Sequence, residues 1–194
     1  MEINKKITNL SQLDVFVKSF VKYLHIGDVV ILSGPLGVGK TAFTKSLAKA
    51  FGIKKPIVSP TFTLQRVYKF PNDKKDFNLP IKLNRNIFVS GKNSPVFLVH
   101  IDAYRLFNSS SPHSENGYLL YDQLQNLDFD SYLDNSLIVI EWGELVKNIL
   151  DEAKLAENII QINISFGSDD LSDSSRVFKI SGLSLSNKSS KLEK

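Results

Sequence analysis

Residues 34–41 run Gly34-Pro35-Leu36-Gly37-Val38-Gly39-Lys40-Thr41, a complete G-x-x-x-x-G-K-[ST] sequence. These residue types at this spacing suit one task, the binding of a polyphosphate. The glycines let the backbone curl until successive N–H groups point inward as an anion nest. A helix starting behind the loop adds unpaired donors and the positive end of its dipole. In that arrangement Lys40 reaches the β- and γ-phosphates, and the Thr41 hydroxyl joins the shell of a Mg²⁺ ion. The expected nucleotide-binding set is Leu36, Gly37, Val38, Gly39, Lys40 and Thr41. The plainer alternative is a tight glycine turn in an ordinary strand-to-helix unit.

Hydrolysis needs more: a carboxylate to organise the metal and a group to place a water. Asp102 and Glu141 each follow an apolar run, Val96–Ile101 and Leu137–Ile140. Ligands of open α/β sheets gather at the C-terminal edge of the strands, where a phosphate loop lies, so either acid can serve the metal or the water. The alternative for each is a helix cap or a surface ion pair. Ser59-Pro60-Thr61 follows the first helix, and Thr61 can carry a hydroxyl onto a γ-phosphate; a plain turn explains the same residues equally well. Arg105 can counter phosphate charge or pair with a carboxylate, and the ion pair is the simpler reading. Trp142 reads as a core anchor beside the site rather than a stacking platform. No Asn-Lys-x-Asp guanine-reading motif follows a buried strand, since Asn187-Lys188 is followed by two serines; this favours ATP over GTP.

The elements that must hold these residues follow from periodicity. Ser11 to Leu24 has Leu13, Phe16, Val17, Phe20, Val21 and Leu24 at helical spacing, with Thr8, Asn9 and Ser11 as candidate caps and Ser11–Asp14 as a loose capping box. Gly27-Asp28 turns the chain into a strand at Val29–Ser33, and the helix behind the loop ends near Gly52. Residues 64–70 look extended. Tyr118–Leu127 and Glu144–Leu155 read as helical, and Ile159–Phe166 with Arg176–Ser181 as a hairpin. Strands alternating with helices predict an α/β fold, a P-loop-type sheet with helices on both faces and a C-terminal strand hairpin. The expected organisation is a single P-loop ATPase domain over residues 1–182 and a flexible polar tail over 183–194. Two polar stretches, 71–95 and 108–117, interrupt it. Residues 66–92 hold seven Lys/Arg and two Asp; this reads as a solvated loop in preference to a nucleic-acid contact.

Composition narrows the classes. A chain of 194 residues suits one domain with a substantial core. The absence of cysteine removes disulfides, thiolate nucleophiles and Cys-based zinc sites. His25, His100 and His113 show no metal-ligand spacing. No apolar stretch approaches a membrane span and no signal-peptide core opens the chain, which fits the cytoplasm. A formal charge of +4 says little about nucleic acid.

Four blocks in order, Gly-Pro-Leu-Gly-Val-Gly-Lys-Thr (34–41), Ser-Pro-Thr-Phe-Thr-Leu (59–64), His-Ile-Asp-Ala-Tyr-Arg-Leu (100–106) and Val-Ile-Glu-Trp (139–142), strongly resemble the TsaE (YjeE) family, the bacterial ATPases of tRNA N6-threonylcarbamoyladenosine (t6A) synthesis. The resemblance covers roughly residues 10–70 and 96–145. It implies a P-loop domain that binds and slowly hydrolyses ATP with Mg²⁺. It also implies partnership with TsaD, which modifies A37 of tRNA, and with TsaB, so that tRNA is met only through that complex. Lys40 and Thr41 carry over as phosphate and Mg²⁺ ligands, Glu141 as a further Mg²⁺ ligand, Asp102 as an essential site acid and Thr61 as part of a switch-like segment. The expected catalytic set is therefore Asp102, Thr61 and Glu141, and the metal set Thr41 and Glu141. Two features depart from the family pattern: Pro35 replaces an Asp, and Asp122-Gln123-Leu124-Gln125-Asn126-Leu127-Asp128 replaces an acidic helix ending in Gly. A small-molecule kinase, or a nucleotide-gated module without turnover, are the competing readings.

Overall fold

The computed structural model describes residues 2–71, 95–108, 122–156, 158–168 and 174–183, and only the backbone of Phe107, Asn108 and Leu145. Its strands are β1 (Ile3–Ile7), β2 (Val29–Ser33), β3 (Gln65–Lys69), β4 (Phe97–Asp102), β5 (Ser136–Glu141), β6 (Ile159–Phe166) and β7 (Arg176–Ser181). They form one sheet in the order β1-β7-β6-β2-β5-β4-β3. The central strands β6, β2, β5 and β4 are parallel. β3 closes one side antiparallel to β4, and β7 and β1 continue the other side antiparallel. The expected α/β class and the β6–β7 hairpin are both present.

β2 and β5, at the middle of the sheet, are near-continuous apolar runs because both faces of the sheet are covered there. Side chains alternate along a strand. In β2, Val30 and Leu32 face helices α1 (Leu10–Phe20) and α2 (Lys40–Ala50), while Val29 and Ile31 face Leu106, Phe129, Val146 and Leu150. That second layer is made of short helices, α3 (Tyr104–Asn108), α4 (Phe129–Leu133) and α5 (Lys147–Glu152). On the first face, Phe20 of α1, Phe43 of α2 and Phe178 of β7 pack in sequence, the first pair edge-to-face and the second tilted, with centroids 6.0 and 6.1 Å apart. Each such ring, fully buried, contributes roughly 1.5–3 kcal/mol. The α1–α2 layer is therefore a rigid bed for whatever α2 presents at its N-terminus.

Several boundaries differ from the expectation, each for a local reason. Of the three candidate caps, Asn9 is the one that caps α1, whose start at Leu10 is one residue ahead of the expected start: its side chain accepts the Gln12 N–H at 2.9 Å, and Gln12 Oε1 accepts the Thr8 N–H at 3.0 Å. Asp14 is not part of a box; it holds Ser46 and Lys49 of α2 at 2.7 and 2.6 Å. The helical spacing of Val21 and Leu24 belongs to a 3-10 turn, Val21–Tyr23, that ends α1. β1 was not anticipated, since only Ile3 and Ile7 are apolar there and its support comes from pairing with β7. Glu144–Leu155 divides into a 3-10 turn, Gly143–Leu145, and α5. Of Tyr118–Leu127, residues 122–125 are helical and 118–121 lie outside the described residues. The same holds for residues 72–94, 109–117 and 184–194 of the expected insertions and tail. Among the described residues, no helix is long and apolar enough to cross a membrane.

Candidate nucleotide site

The phosphate-binding sequence leaves β2 against the backbone of β6. Gly34 has φ +138°, and a Cβ there would stand 2.1 Å from the Ile164 carbonyl oxygen, so only glycine fits. Val38 plugs the loop into the core. Its N–H donates to Pro35 O at 3.3 Å and its carbonyl accepts Arg176 Nε at 3.2 Å. Leu36 is left exposed at the tip. Gly39, at φ +114°, turns the chain into α2, where Phe43 N–H donates to Gly39 O at 2.9 Å. The amides ahead of Phe43 thus stand at the positive end of a helix that the core holds still.

Lys40 is folded back on this loop. Its Nζ donates to Gly34 O at 2.6 Å and Pro35 O at 3.0 Å and lies 3.6 Å from the centre of the Trp142 ring. Burial pulls its pKa below the ordinary lysine value, while the charges of Glu141, Glu144 and Asp102 oppose that pull. Trp142 adopts a left-handed backbone, φ 59° and ψ 32°, a conformation that costs a bulky residue roughly 1–2 kcal/mol. That strain turns the ring under Lys40 immediately after β5 ends. Trp142 packs on the second core cluster, as an anchor should, and also meets Tyr104 at 5.2 Å. Its contact with the lysine was not foreseen.

The two acids end adjacent parallel strands, Asp102 opposite Glu141 in register. Both are buried on the face that carries α2. Glu141 Oε2 accepts the Thr41 hydroxyl at 3.0 Å, and Oε1 meets His100 Nε2 at 2.8 Å. Asp102 Oδ2 accepts the Thr61 hydroxyl at 2.6 Å and Ser59 Oγ at 3.4 Å, and Oδ1 accepts the Tyr104 N–H at 3.0 Å. Ser59 and Thr61 also share a 2.7 Å bond. The fold therefore sorts the expected residues into two hydroxyl–carboxylate pairs, Thr41 with Glu141 and Thr61 with Asp102, beside one loop. Arg105 directs Nη1 to the Phe62 carbonyl at 3.4 Å, so it supports the Ser59–Leu64 segment.

Three contributors escaped the sequence reading. His100 was passed over as a scattered histidine, although its place two residues before Asp102 sets both on one face of a strand. Tyr104 caps Asp102 through its backbone. Arg176, at the start of β7, carries no signal in sequence, since only the fold brings it to Val38.

The donor set fits Mg²⁺. Thr41 Oγ1 and Glu141 Oε2 are hard oxygens held together, and Mg²⁺ is usually bound by one or two carboxylates plus substrate phosphates. Among the described residues, no three His, Asp or Glu converge as a ready-made metal cage. A hollow of about 950 Å³ between β1 and α1 is lined by Lys5, Val15, Phe16 and Tyr23 and holds none of these groups.

A family model described as threonylcarbamoyl adenosine biosynthesis protein TsaE matches residues 7–81 and 84–172. The chain is similar to the tRNA threonylcarbamoyladenosine biosynthesis protein TsaE of Streptomyces coelicolor, 33% identical over 166 residues, 86% of this chain and 87% of that protein. The protein of that name from Mycobacterium tuberculosis is 32% identical over 142 residues, 73% of this chain and 69% of its own. The one from Rickettsia typhi is 32% identical over 145 residues, 74% and 76%. Among solved structures, the crystal structure of Bacillus subtilus YdiB superposes with a TM-score of 0.57 at 20% identity, covering 95% of this chain and 87% of that one. At that identity the likeness concerns the fold.

Proposed function

The chain belongs to the TsaE family, whose members serve threonylcarbamoyl adenosine biosynthesis, and from that premise we propose that it is the ATP-hydrolysing subunit of tRNA A37 modification, acting with TsaD and TsaB. Its part in t6A formation follows from family membership. The ATPase reading rests on one observation above all: two hydroxyl–carboxylate pairs stand beside a phosphate loop at the ends of adjacent strands.

In the proposed mechanism the amides of Gly37–Thr41 and the start of α2 receive the β- and γ-phosphates. Lys40 leaves the Gly34 and Pro35 carbonyls, which are weaker partners than phosphate oxygens, and turns its charge onto them. Thr41 and Glu141 would hold Mg²⁺, which would neutralise phosphate charge there. Asp102 orients the attacking water and takes its proton, and Thr61 carries the Ser59–Leu64 segment over the γ-phosphate. Phe62 and Leu36, 87% and 84% exposed on the two loops of the site, offer a partner an apolar foothold beside the nucleotide. Docking there would couple the partner to the nucleotide state.

The test is steady-state phosphate release by the purified chain while the TsaD–TsaB pair is titrated in. The expected result is slow turnover alone and faster turnover with the partners, without any phosphate acceptor. Fast turnover alone, or none at saturating partner, rejects the partner-stimulated ATPase; transfer to a small-molecule acceptor would establish a kinase instead.

A further inference from the structure

His100 is completely buried in β4, 0% exposed, with Nε2 2.8 Å from Glu141 Oε1. A carboxylate only accepts, so Nε2 carries the proton and, in the neutral ring, Nδ1 keeps a lone pair. That Nδ1 is buried with no hydrogen-bond partner among the described residues. An unpaired buried acceptor costs free energy, and an apolar side chain in this strand would avoid the cost. Packing therefore does not explain an imidazole here. What the ring supplies is one N–H at a fixed reach from Glu141. The bond occupies Oε1 and leaves Oε2 turned to the Thr41 hydroxyl at 3.0 Å.

We propose that His100 is a positioning residue that restrains Glu141 to present a single oxygen, Oε2, beside Thr41 to the metal of a bound Mg²⁺–nucleotide. This rests on the Mg²⁺ role proposed for Glu141. Mg²⁺ demands near-octahedral geometry, whereas Ca²⁺ accepts one or both oxygens of a carboxylate. A carboxylate freed to swing therefore serves Ca²⁺ nearly as well and Mg²⁺ poorly. Groups that orient a metal's ligands typically carry about 10–100-fold in metal affinity.

The experiment measures ADP affinity by calorimetry in Mg²⁺, in Ca²⁺ and in EDTA, for the wild type, His100→Phe, His100→Gln and Glu141→Gln. In Mg²⁺, His100→Phe should weaken ADP binding by about 10–100-fold. The Ca²⁺ value should fall less, and no matching loss should occur in EDTA. His100→Gln, whose amide N–H reaches a similar point, should recover part of the loss. Unchanged Mg²⁺-dependent affinity in His100→Phe overturns the inference, as does an equal loss in EDTA, which would mark a merely structural role. Glu141→Gln separates the two levels. If it loses Mg²⁺ dependence while His100→Phe does not, only the His100 inference falls; if it keeps full Mg²⁺ dependence, the Mg²⁺ reading of Glu141 falls and this one with it. A long-range proton–nitrogen NMR spectrum of the wild-type chain gives a readout free of any variant. A proton on Nε2 of His100 is expected, and one on Nδ1 alone overturns the proposal whether or not His100→Phe folds.

Discussion

Lys40 is the residue on which the proposed nucleotide binding turns. Its ammonium is parked on two carbonyls and on the ring of Trp142, the one tryptophan of the chain. A charge-assisted contact to phosphate is worth roughly 1.5–3 kcal/mol, so Lys40→Ala should weaken ATP binding by about 10- to 150-fold. Binding should also lift the ammonium off Trp142 and change its emission. A fluorescence titration with nucleotide checks both, and a wild-type spectrum unmoved at saturation would reject the displacement. The two acids should fail differently because they hold different hydroxyls. Glu141→Gln should weaken Mg²⁺-dependent ATP affinity and recover at higher Mg²⁺. Asp102→Asn should keep ATP bound but unhydrolysed. Equal recovery of both variants with Mg²⁺ would show the roles to be divided wrongly.

One element scale up, the loop depends on being seated against β6. Gly34→Ala meets two obstacles, a left-handed φ of +138° and a Cβ 2.1 Å from Ile164 O. Gly37 has φ +74° but open space around it. Alanine at Gly37 should therefore cost only the backbone strain, about 1–2 kcal/mol. Alanine at Gly34 should cost more and displace the loop, because Ile164 is fixed by pairing on both sides, to β7 and, through its strand, to β2. Urea unfolding and ATP affinity of the two variants compare them; equal effects would mean that the loop is not braced by β6.

Across the whole molecule, the opposite end of the sheet holds a different buried acid. Asp28, 4% exposed, receives the His25 N–H at 2.7 Å and Asn158 Nδ2 at 2.9 Å, tying the turn before β2 to the start of β6. Burial raises its pKa above the ordinary aspartate value, against the lowering effect of those donors. A folded state that holds the proton more tightly than the unfolded chain gains stability from it at low pH. That contribution is complete below the unfolded pKa and is lost as pH rises through the raised folded value. A carbon-13 NMR titration should place the Asp28 midpoint above the ordinary value of about 3.9. Asn158→Ala should raise it further by removing a donor to the carboxylate. A midpoint at or below the ordinary value would show that the hydrogen bonds outweigh burial.

What the chain's linear order determined was local. The phosphate-binding octet, the apolar runs at Val29–Leu32, Leu98–Ile101 and Leu137–Ile140, and the acid closing each of the last two are contiguous patterns. Period-two and helical spacing, together with glycine chemistry, are legible within a few residues, and so are the α/β class and the β6–β7 hairpin. β1 was not legible, because its stability comes from the partner strand rather than from its own polar sequence. Spacing along the chain did not say which acid serves which hydroxyl; only the family resemblance set Thr41 with Glu141. Thr41 and Glu141 are 100 residues apart, and Thr61 and Asp102 are 41 apart. The parallel register of β4 and β5, and their position beside α2, decided that pairing. The same register gave His100 a carboxylate to hold, and the β7 return brought Arg176 to the loop. Hydrogen bonds between distant residues depend on angles and distances that only a packed sheet imposes, and so those parts of the site belonged to the tertiary structure alone.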